Sequence, residues 1–68
     1  MEKIIPRIKE LREEKGLTQA QLAKAIGFNY RTISQYERGI NEPDLKTIKK
    51  LCDFFEVTSD YLLGFEDL

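Results

Sequence analysis

Five polar side chains recur at helical spacing near the middle of the 68-residue chain: Tyr30, Arg31, Ser34, Gln35 and Arg38. If the apolar residues of that segment point inward, these five lie on one exposed helix face that carries no acidic residue. An arginine can donate two hydrogen bonds to guanine O6 and N7, a glutamine can pair with adenine N6 and N7, and a tyrosine ring can contact a thymine methyl. The side-chain chemistry therefore favours contact with base edges in the DNA major groove.

Two helices joined by a tight turn are predicted to hold this face. Thr18 is placed to cap the first of them, because Gln21 three residues later completes a capping box, and Gly27 is placed to end it. Asn29 then caps the helix that carries the polar face. A short helix, a turn of about three residues and a second helix over residues 18–38 form a helix-turn-helix unit, whose second helix enters the major groove.

The rest of the chain also shows helical periodicity, and no segment alternates apolar and polar residues as a half-buried strand would. We therefore predict an all-α fold, a compact bundle of five short helices in a single domain over residues 1–68. The first helix is expected to run from about Pro6, a favoured N1 residue, to Lys15. Its expected inward residues are Ile4, Ile5, Ile8 and Leu11.

Two further helices are predicted after the loop that contains Pro43. Asp44 is expected to cap the fourth helix and Thr58 the fifth, which should end at Gly64. The expected inward face of the fourth helix contains Leu45, Ile48, Leu51, Cys52 and Phe55. We interpret Cys52 as a small core residue rather than a redox sensor.

The composition excludes several classes of protein. With no histidine and one cysteine, the chain cannot assemble a Cys/His metal site or a Ser/His/Asp triad, so we expect no cofactor, no small-molecule substrate and no catalysis. The longest apolar runs are two or three residues, which excludes a transmembrane span and a secretory signal. A soluble, cytoplasmic protein is expected.

Charge is unevenly distributed along the chain. Residues 1–41 contain eight basic and five acidic residues, whereas residues 42–68 contain three basic and seven acidic ones. A basic front half could bind a polyanion while the acidic rear half keeps the molecule soluble. Chance asymmetry remains the alternative explanation for a chain with this mixed composition.

A family resemblance is carried by motifs spread over nearly the whole chain. These are residues 8–19 (IKELREEKGLTQ), Leu22-Ala23, Ile26-Gly27, residues 32–39 (TISQYERG), Pro43, and residues 61–64 (YLLG). With this spacing the chain closely resembles the Xre/Cro-type, lambda-repressor-like helix-turn-helix family. The resemblance implies a five-helix DNA-binding domain of bacterial or phage origin, usually acting as a transcriptional repressor.

Roles for individual residues follow from the resemblance by position. It implies base-reading roles for Gln19, Tyr30, Arg31 and Gln35. It implies contacts with the DNA backbone for Asn29, Thr32, Ser34, Arg38 and Asn41. It also implies a structural ion pair between Arg12 and Glu37, which would join the first helix to the end of the third. Because the family usually binds inverted repeats as symmetric dimers, the expected partners are double-stranded DNA and a second copy of the chain.

Two positions depart from the family pattern. Glu56 stands where relatives often have Gly or Asn after the fourth helix, so a left-handed backbone there would be mildly strained. The loop after Gly39 is less basic than in many relatives. The apolar residues without an evident inward role are candidates for a dimer surface: Ile40, Phe54, Tyr61, Phe65 and Leu68.

A different function on the same fold is the main alternative. The domain could be a protein-interaction module, such as an antitoxin or an anti-repressor partner, that uses its acidic rear surface rather than the third helix. An acidic or apolar outer face on the third helix would favour that alternative, and Tyr30, Arg31 and Gln35 do not.

Overall fold

Five α-helices make up the fold, as a computed structural model describing residues 4–66 shows. They are α1 (Ile8–Glu14), α2 (Gln19–Ile26), α3 (Tyr30–Glu37), α4 (Leu45–Phe55) and α5 (Ser59–Leu62). No strand occurs within residues 4–66. The predicted all-α class is therefore confirmed.

Four of the five helices begin at a side-chain cap. At the start of α2, Gln21 N donates to Thr18 Oγ1 at 3.1 Å while Thr18 N donates to Gln21 Oε1 at 2.8 Å, which completes the predicted capping box. Asn29, Asp44 and Thr58 cap α3, α4 and α5 in the same way, each accepting a backbone N–H from the first turn. These caps satisfy N–H groups that have no partner inside the helix, and the predicted starts of α2, α3, α4 and α5 are confirmed.

The turn between α2 and α3 depends on a left-handed residue. Gly27 ends α2 at φ 79°, and Phe28 N then donates to Ala23 O at 2.7 Å. This closes the last turn of α2 and leaves only residues 27–29 before α3 begins.

Glu56 ends α4 in the same left-handed backbone conformation, at φ 57°, where a non-glycine residue costs roughly 1–2 kcal/mol.

The core forms where the five helices meet. Each helix contributes one fully buried aliphatic side chain: Ile8, Leu22, Ile33, Leu51 and Leu62. Burying a side chain of this size stabilises the fold by about 1.5–3 kcal/mol. The inner side of α3 is thus held in the core through Ile33 and Tyr36, with α2 and α1 packed against the helix, while its outer side is left to solvent.

The predicted start of α1 was wrong. Arg7 is the N-cap of this helix, which begins at Ile8 rather than near Pro6. Arg7 N donates to Leu62 O at 2.8 Å, so the backbone here is tied to α5 instead of turning into a helix. Ile4 and Ile5 lie before the helix and are exposed rather than inward, because helical periodicity does not extend to residues outside the helix.

The predicted inward position of Leu45 was also wrong, since this side chain is 83% exposed. The buried stripe of α4 runs through Thr47, Leu51 and Phe55, four residues apart. At about 100° per residue, Leu45 lies some 200° away from Thr47 around the helix. Cys52 packs at the edge of the core, and burial raises the pKa of its thiol, which keeps it protonated.

Candidate nucleic-acid interface

The outer side of α3 carries a shallow depression. Its lining consists of Tyr30, Arg31, Ser34, Gln35 and Arg38. Ile33 and Tyr36, on the opposite side of the same helix, are buried in the core. The structure therefore brings together the five polar residues whose spacing predicted a common face.

The N-terminal end of this depression is cationic and aromatic. Tyr30 and Arg31 are both exposed, and the Arg31 guanidinium carbon lies 5.9 Å from the centroid of the Tyr30 ring. A cation–π contact at an exposed site is worth about 0.5–1 kcal/mol, enough to bias the arginine without immobilising it. Its N–H donors remain available to a ligand in the groove.

An ion pair beneath this face anchors α3. Arg12 Nε donates to Glu37 Oε2 at 2.7 Å, and Arg12 Nη2 donates to Glu37 Oε1 at 3.1 Å. The side chains are 12% and 4% exposed, and the hydrogen bond to Glu37 raises the pKa of Arg12 despite its desolvation. Arg12 Nη1 also donates to Leu17 O at 2.7 Å, so this pair joins α1, the α1–α2 loop and the end of α3.

Gln19 lies between this anchor and the interface. It is the first residue of α2, and its Nε2 donates to Glu37 Oε1 at 3.1 Å. One amide proton is thereby committed to the carboxylate, while the carbonyl oxygen of the same side chain has no donor among residues 4–66. The structure thus gives Gln19 an internal partner that its position in the sequence did not indicate.

Of the residues assigned to phosphates by resemblance, Ser34 and Arg38 line the same depression. Asn29 Oδ1 accepts from Arg31 N at 2.8 Å, which leaves the amide nitrogen of Asn29 able to donate at the start of α3. Thr32 and Ser34 are half-buried, and Arg38 is exposed at the C-cap of α3. Asn29 and Arg38 thus place hydrogen-bond donors at the two ends of α3. Such an arrangement suits a ligand that carries negative charge along both edges of a groove.

One pair within the site was not anticipated from the sequence. Asn41 Nδ2 donates to Gln35 Oε1 at 2.7 Å, although the two residues were assigned to a phosphate and a base respectively. The only local signal for this contact is Gly39 at the end of α3, because a glycine there can reverse the chain and bring Asn41 back to the last turn.

Comparison with known proteins decides the family. A family profile described as helix-turn-helix matches residues 8–62, which include all five helices. The chain belongs to the Xre/Cro-type, lambda-repressor-like helix-turn-helix family. The resemblance inferred from the sequence motifs is thereby confirmed.

Two curated members of the family illustrate its range. The chain is similar to the HTH-type transcriptional regulator ImmR of Bacillus subtilis (strain 168), with 37% identity over 62 residues. It is also similar to the HTH-type transcriptional activator BcrR of Enterococcus faecalis, with 39% identity over 62 residues. Each alignment covers 91% of this chain but only 49% of ImmR and 30% of BcrR, so the chain spans about half or less of these relatives.

A solved structure of the family matches the fold along its whole length. The P22 c2 repressor in complex with the synthetic operator 9T superimposes with a TM-score of 0.83 at 30% identity. The match covers 97% of this chain and 100% of the repressor chain.

Among residues 4–66, no group of three or more Cys, Asp or Glu side chains is placed to hold a metal ion. None of the helices in that range is both long enough and apolar enough to cross a membrane.

Proposed function

We propose that this helix-turn-helix protein is a sequence-specific DNA-binding transcriptional regulator that inserts α3 into the major groove. The observation that carries the proposal is the outer face of α3, where Tyr30, Arg31 and Gln35 present hydrogen-bonding and aromatic groups without a neighbouring acid. The buried Arg12–Glu37 pair supports this role, because it fixes the helix before any ligand arrives.

The proposed division of labour follows the chemistry of each side chain. Tyr30, Arg31 and Gln35 read base edges, where a well-placed bidentate contact contributes about 1–3 kcal/mol of discrimination. Gln19 contacts a base at the edge of the same groove through the carbonyl oxygen that its bond to Glu37 leaves open. Contacts with the DNA backbone position the helix without reading sequence, and come from Asn29 and Arg38 at the two caps of α3 and from Thr32 and Ser34 within it.

Repression through a dimer on an inverted repeat is the specific form that we propose. Two recognition helices must lie about 34–36 Å apart to read successive major grooves on one side of the duplex. Ile40 is 49% exposed and Phe65 is 65% exposed, so both are available near a two-fold axis. Of the other dimer candidates, Phe54 and Tyr61 pack against the core, and Leu68 lies outside the described residues.

The relatives give support to the proposed regulatory sign and site of action. The P22 c2 repressor matches this chain over its full length, which supports repression, whereas BcrR is named as an activator. Relatives from bacteria support action in the bacterial cytoplasm.

Selection of bound duplexes from a random DNA pool tests the proposed function. We expect the protein to enrich an inverted repeat, and we expect Arg31→Ala to abolish the enrichment. Lys49→Ala is the matched control, because Lys49 is an exposed cation paired with Asp53 on α4, away from the depression. If the unaltered protein enriches no sequence, or if Lys49→Ala is as damaging as Arg31→Ala, the proposal is wrong and a protein-interaction role gains support.

A further inference from the structure

The Gln35 carboxamide is held in one orientation by a neighbouring amide. Asn41 Nδ2 donates to Gln35 Oε1 at 2.7 Å, so the oxygen of Gln35 faces the loop after α3. Within the described residues, Gln35 Nε2 has no hydrogen-bond partner of its own. The nitrogen is therefore the free end of this carboxamide.

The backbone places Asn41 where this bond can form. Gly39 adopts φ 73° after α3, and both Ile40 N and Asn41 N then donate to Gln35 O, at 2.9 Å and 3.5 Å. A Cβ on Gly39 would lie 3.0 Å from the terminal methyl of Ile5, an exposed side chain that can shift, so it is the positive φ that favours glycine at this turn. Asn41 is thus tied to Gln35 through main chain and side chain together.

Orientation matters because the two ends of a glutamine carboxamide have opposite hydrogen-bonding character. The oxygen only accepts and the nitrogen only donates, so a rotation of 180° about the last side-chain bond exchanges acceptor and donor. Base edges in the major groove present donors and acceptors in a fixed order, such as N7 and N6 of adenine. A carboxamide free to rotate can match either order, whereas a fixed one matches a single order.

We propose that Asn41 is a positioning residue that fixes the order of acceptor and donor on Gln35 and thereby sets the base pair selected at that position. The inference rests on the proposed DNA-binding function and deepens it. It gives Asn41 a role in specificity, distinct from the phosphate contact that family resemblance implies. Asn41 acts through Gln35, which touches the base.

Two substitutions of Asn41 have different expected effects. Asn41→Ala frees the carboxamide and lowers discrimination at the base pair read by Gln35 by roughly 3- to 10-fold, with affinity for random DNA unchanged. Asn41→Asp can only accept, so Gln35 Nε2 turns toward the loop and the preferred base pair at that one position changes. The added charge weakens all binding equally and cancels in the ratio of preferred to random DNA. Glu42→Gln is the control, because it alters the next residue of the same loop and should leave the base preference at that position unchanged.

The experiment has one part without DNA and one with it. In the free protein, NMR of side-chain amides is expected to show an Asn41 Nδ2 proton shifted downfield and to lose that shift in Gln35→Ala. An unchanged Asn41 signal in Gln35→Ala would overturn the proposed contact whatever the protein binds. Base preferences of the variants are then measured on duplexes varied one position at a time.

The outcomes with DNA separate this inference from the function on which it rests. If Asn41→Ala weakens preferred and random duplexes equally and reduces the salt dependence of binding, Asn41 contacts a phosphate and the positioning role is wrong. If the unaltered protein shows no sequence preference, the proposed function fails and the specificity role fails with it. A changed base preference in Asn41→Asp, confined to the position that Gln35→Ala relaxes, supports both.

Discussion

Arg12, which pairs with the end of α3, and Arg31, on the outer face of α3, illustrate how surroundings decide the role of a side chain. The Arg12 side chain is mostly buried and donates three hydrogen bonds to Glu37 and Leu17, whereas the Arg31 side chain is exposed and its guanidinium lies over the ring of Tyr30. Three of the five N–H donors of Arg12 are used inside the protein, and only 12% of its side chain is exposed to a ligand. The exposed one contributes little to the fold and is free to bind. This contrast between an anchor (Arg12 with Glu37) and a reading face (Tyr30, Arg31 and Gln35) leads to separable predictions.

The largest expected effect is at the anchor. Arg12→Ala leaves Glu37 charged and buried without its partner, so we expect a loss of about 3 kcal/mol in the free energy of unfolding. A chain of this size has only about 3–10 kcal/mol in total. Urea denaturation measures the loss, with Arg31→Ala as the control that should unfold like the unaltered protein. Equal stability of Arg12→Ala and the unaltered protein would show that the anchor is dispensable.

On the reading face, the expected loss appears in binding instead of stability. Arg31→Ala or Gln35→Ala should weaken binding to the preferred duplex by about 1–3 kcal/mol while affecting random DNA little.

Arg38→Ala should instead reduce the slope of log K against log salt by about one, because it removes a phosphate contact. Fluorescence anisotropy over a range of salt concentrations distinguishes the two. Equal losses on preferred and random DNA for Arg31→Ala would remove it from the base readers.

Gln19 is the intermediate case and sharpens the comparison. Its bond to Glu37 belongs to the anchor, and a base contact is proposed for its carbonyl oxygen. We expect Gln19→Ala to lower the free energy of unfolding by about 0.5–1.5 kcal/mol and also to weaken binding to the preferred duplex. A loss confined to unfolding would place Gln19 wholly in the anchor, and a loss confined to binding would place it wholly on the reading face.

The smallest expected effect concerns a residue that is exposed yet structural. Hydrogen bonds from Thr47, through its side chain and its backbone N–H, lower the pKa of Asp44 at the start of α4. A carboxylate whose pKa is lower in the folded state stabilises the fold above its unfolded pKa and loses that contribution as the pH falls through the folded value. Thermal melts between about pH 5 and pH 2 should therefore fall less steeply for Asp44→Asn, which keeps a neutral cap. Parallel curves would contradict this account of the cap.

The sequence allowed prediction of features that depend on neighbouring residues. Thr18, Asn29 and Gly27 act on backbone groups within a few positions, so the limits of α2 and α3 could be derived before the structure. The prediction for Leu45 was wrong because the sequence does not show which side of the first turn of α4 continues the buried stripe. That stripe passes through Thr47, Leu51 and Phe55, and Leu45 lies on the other side of the helix.

Side-chain contacts formed across a turn or between two packed helices could not be predicted in the same way. The bond between Asn41 and Gln35 depends on how Gly39 turns the chain, and the bond between Gln19 and Glu37 depends on how α2 packs against α3. Helical spacing, side-chain chemistry and the family resemblance predicted which residues could read DNA. Only the structure showed which of them have partners inside the protein.

Titration of duplex DNA into isotopically labelled protein tests the central claim most directly. The duplex is the one selected from the random DNA pool, and the chemical shifts of the backbone amides are followed by NMR. The account predicts that the largest changes fall in residues 29–41, which include α3, and that α5 changes least. Changes concentrated in α4 and α5, with α3 unaffected, would contradict the claim that the outer face of α3 reads DNA.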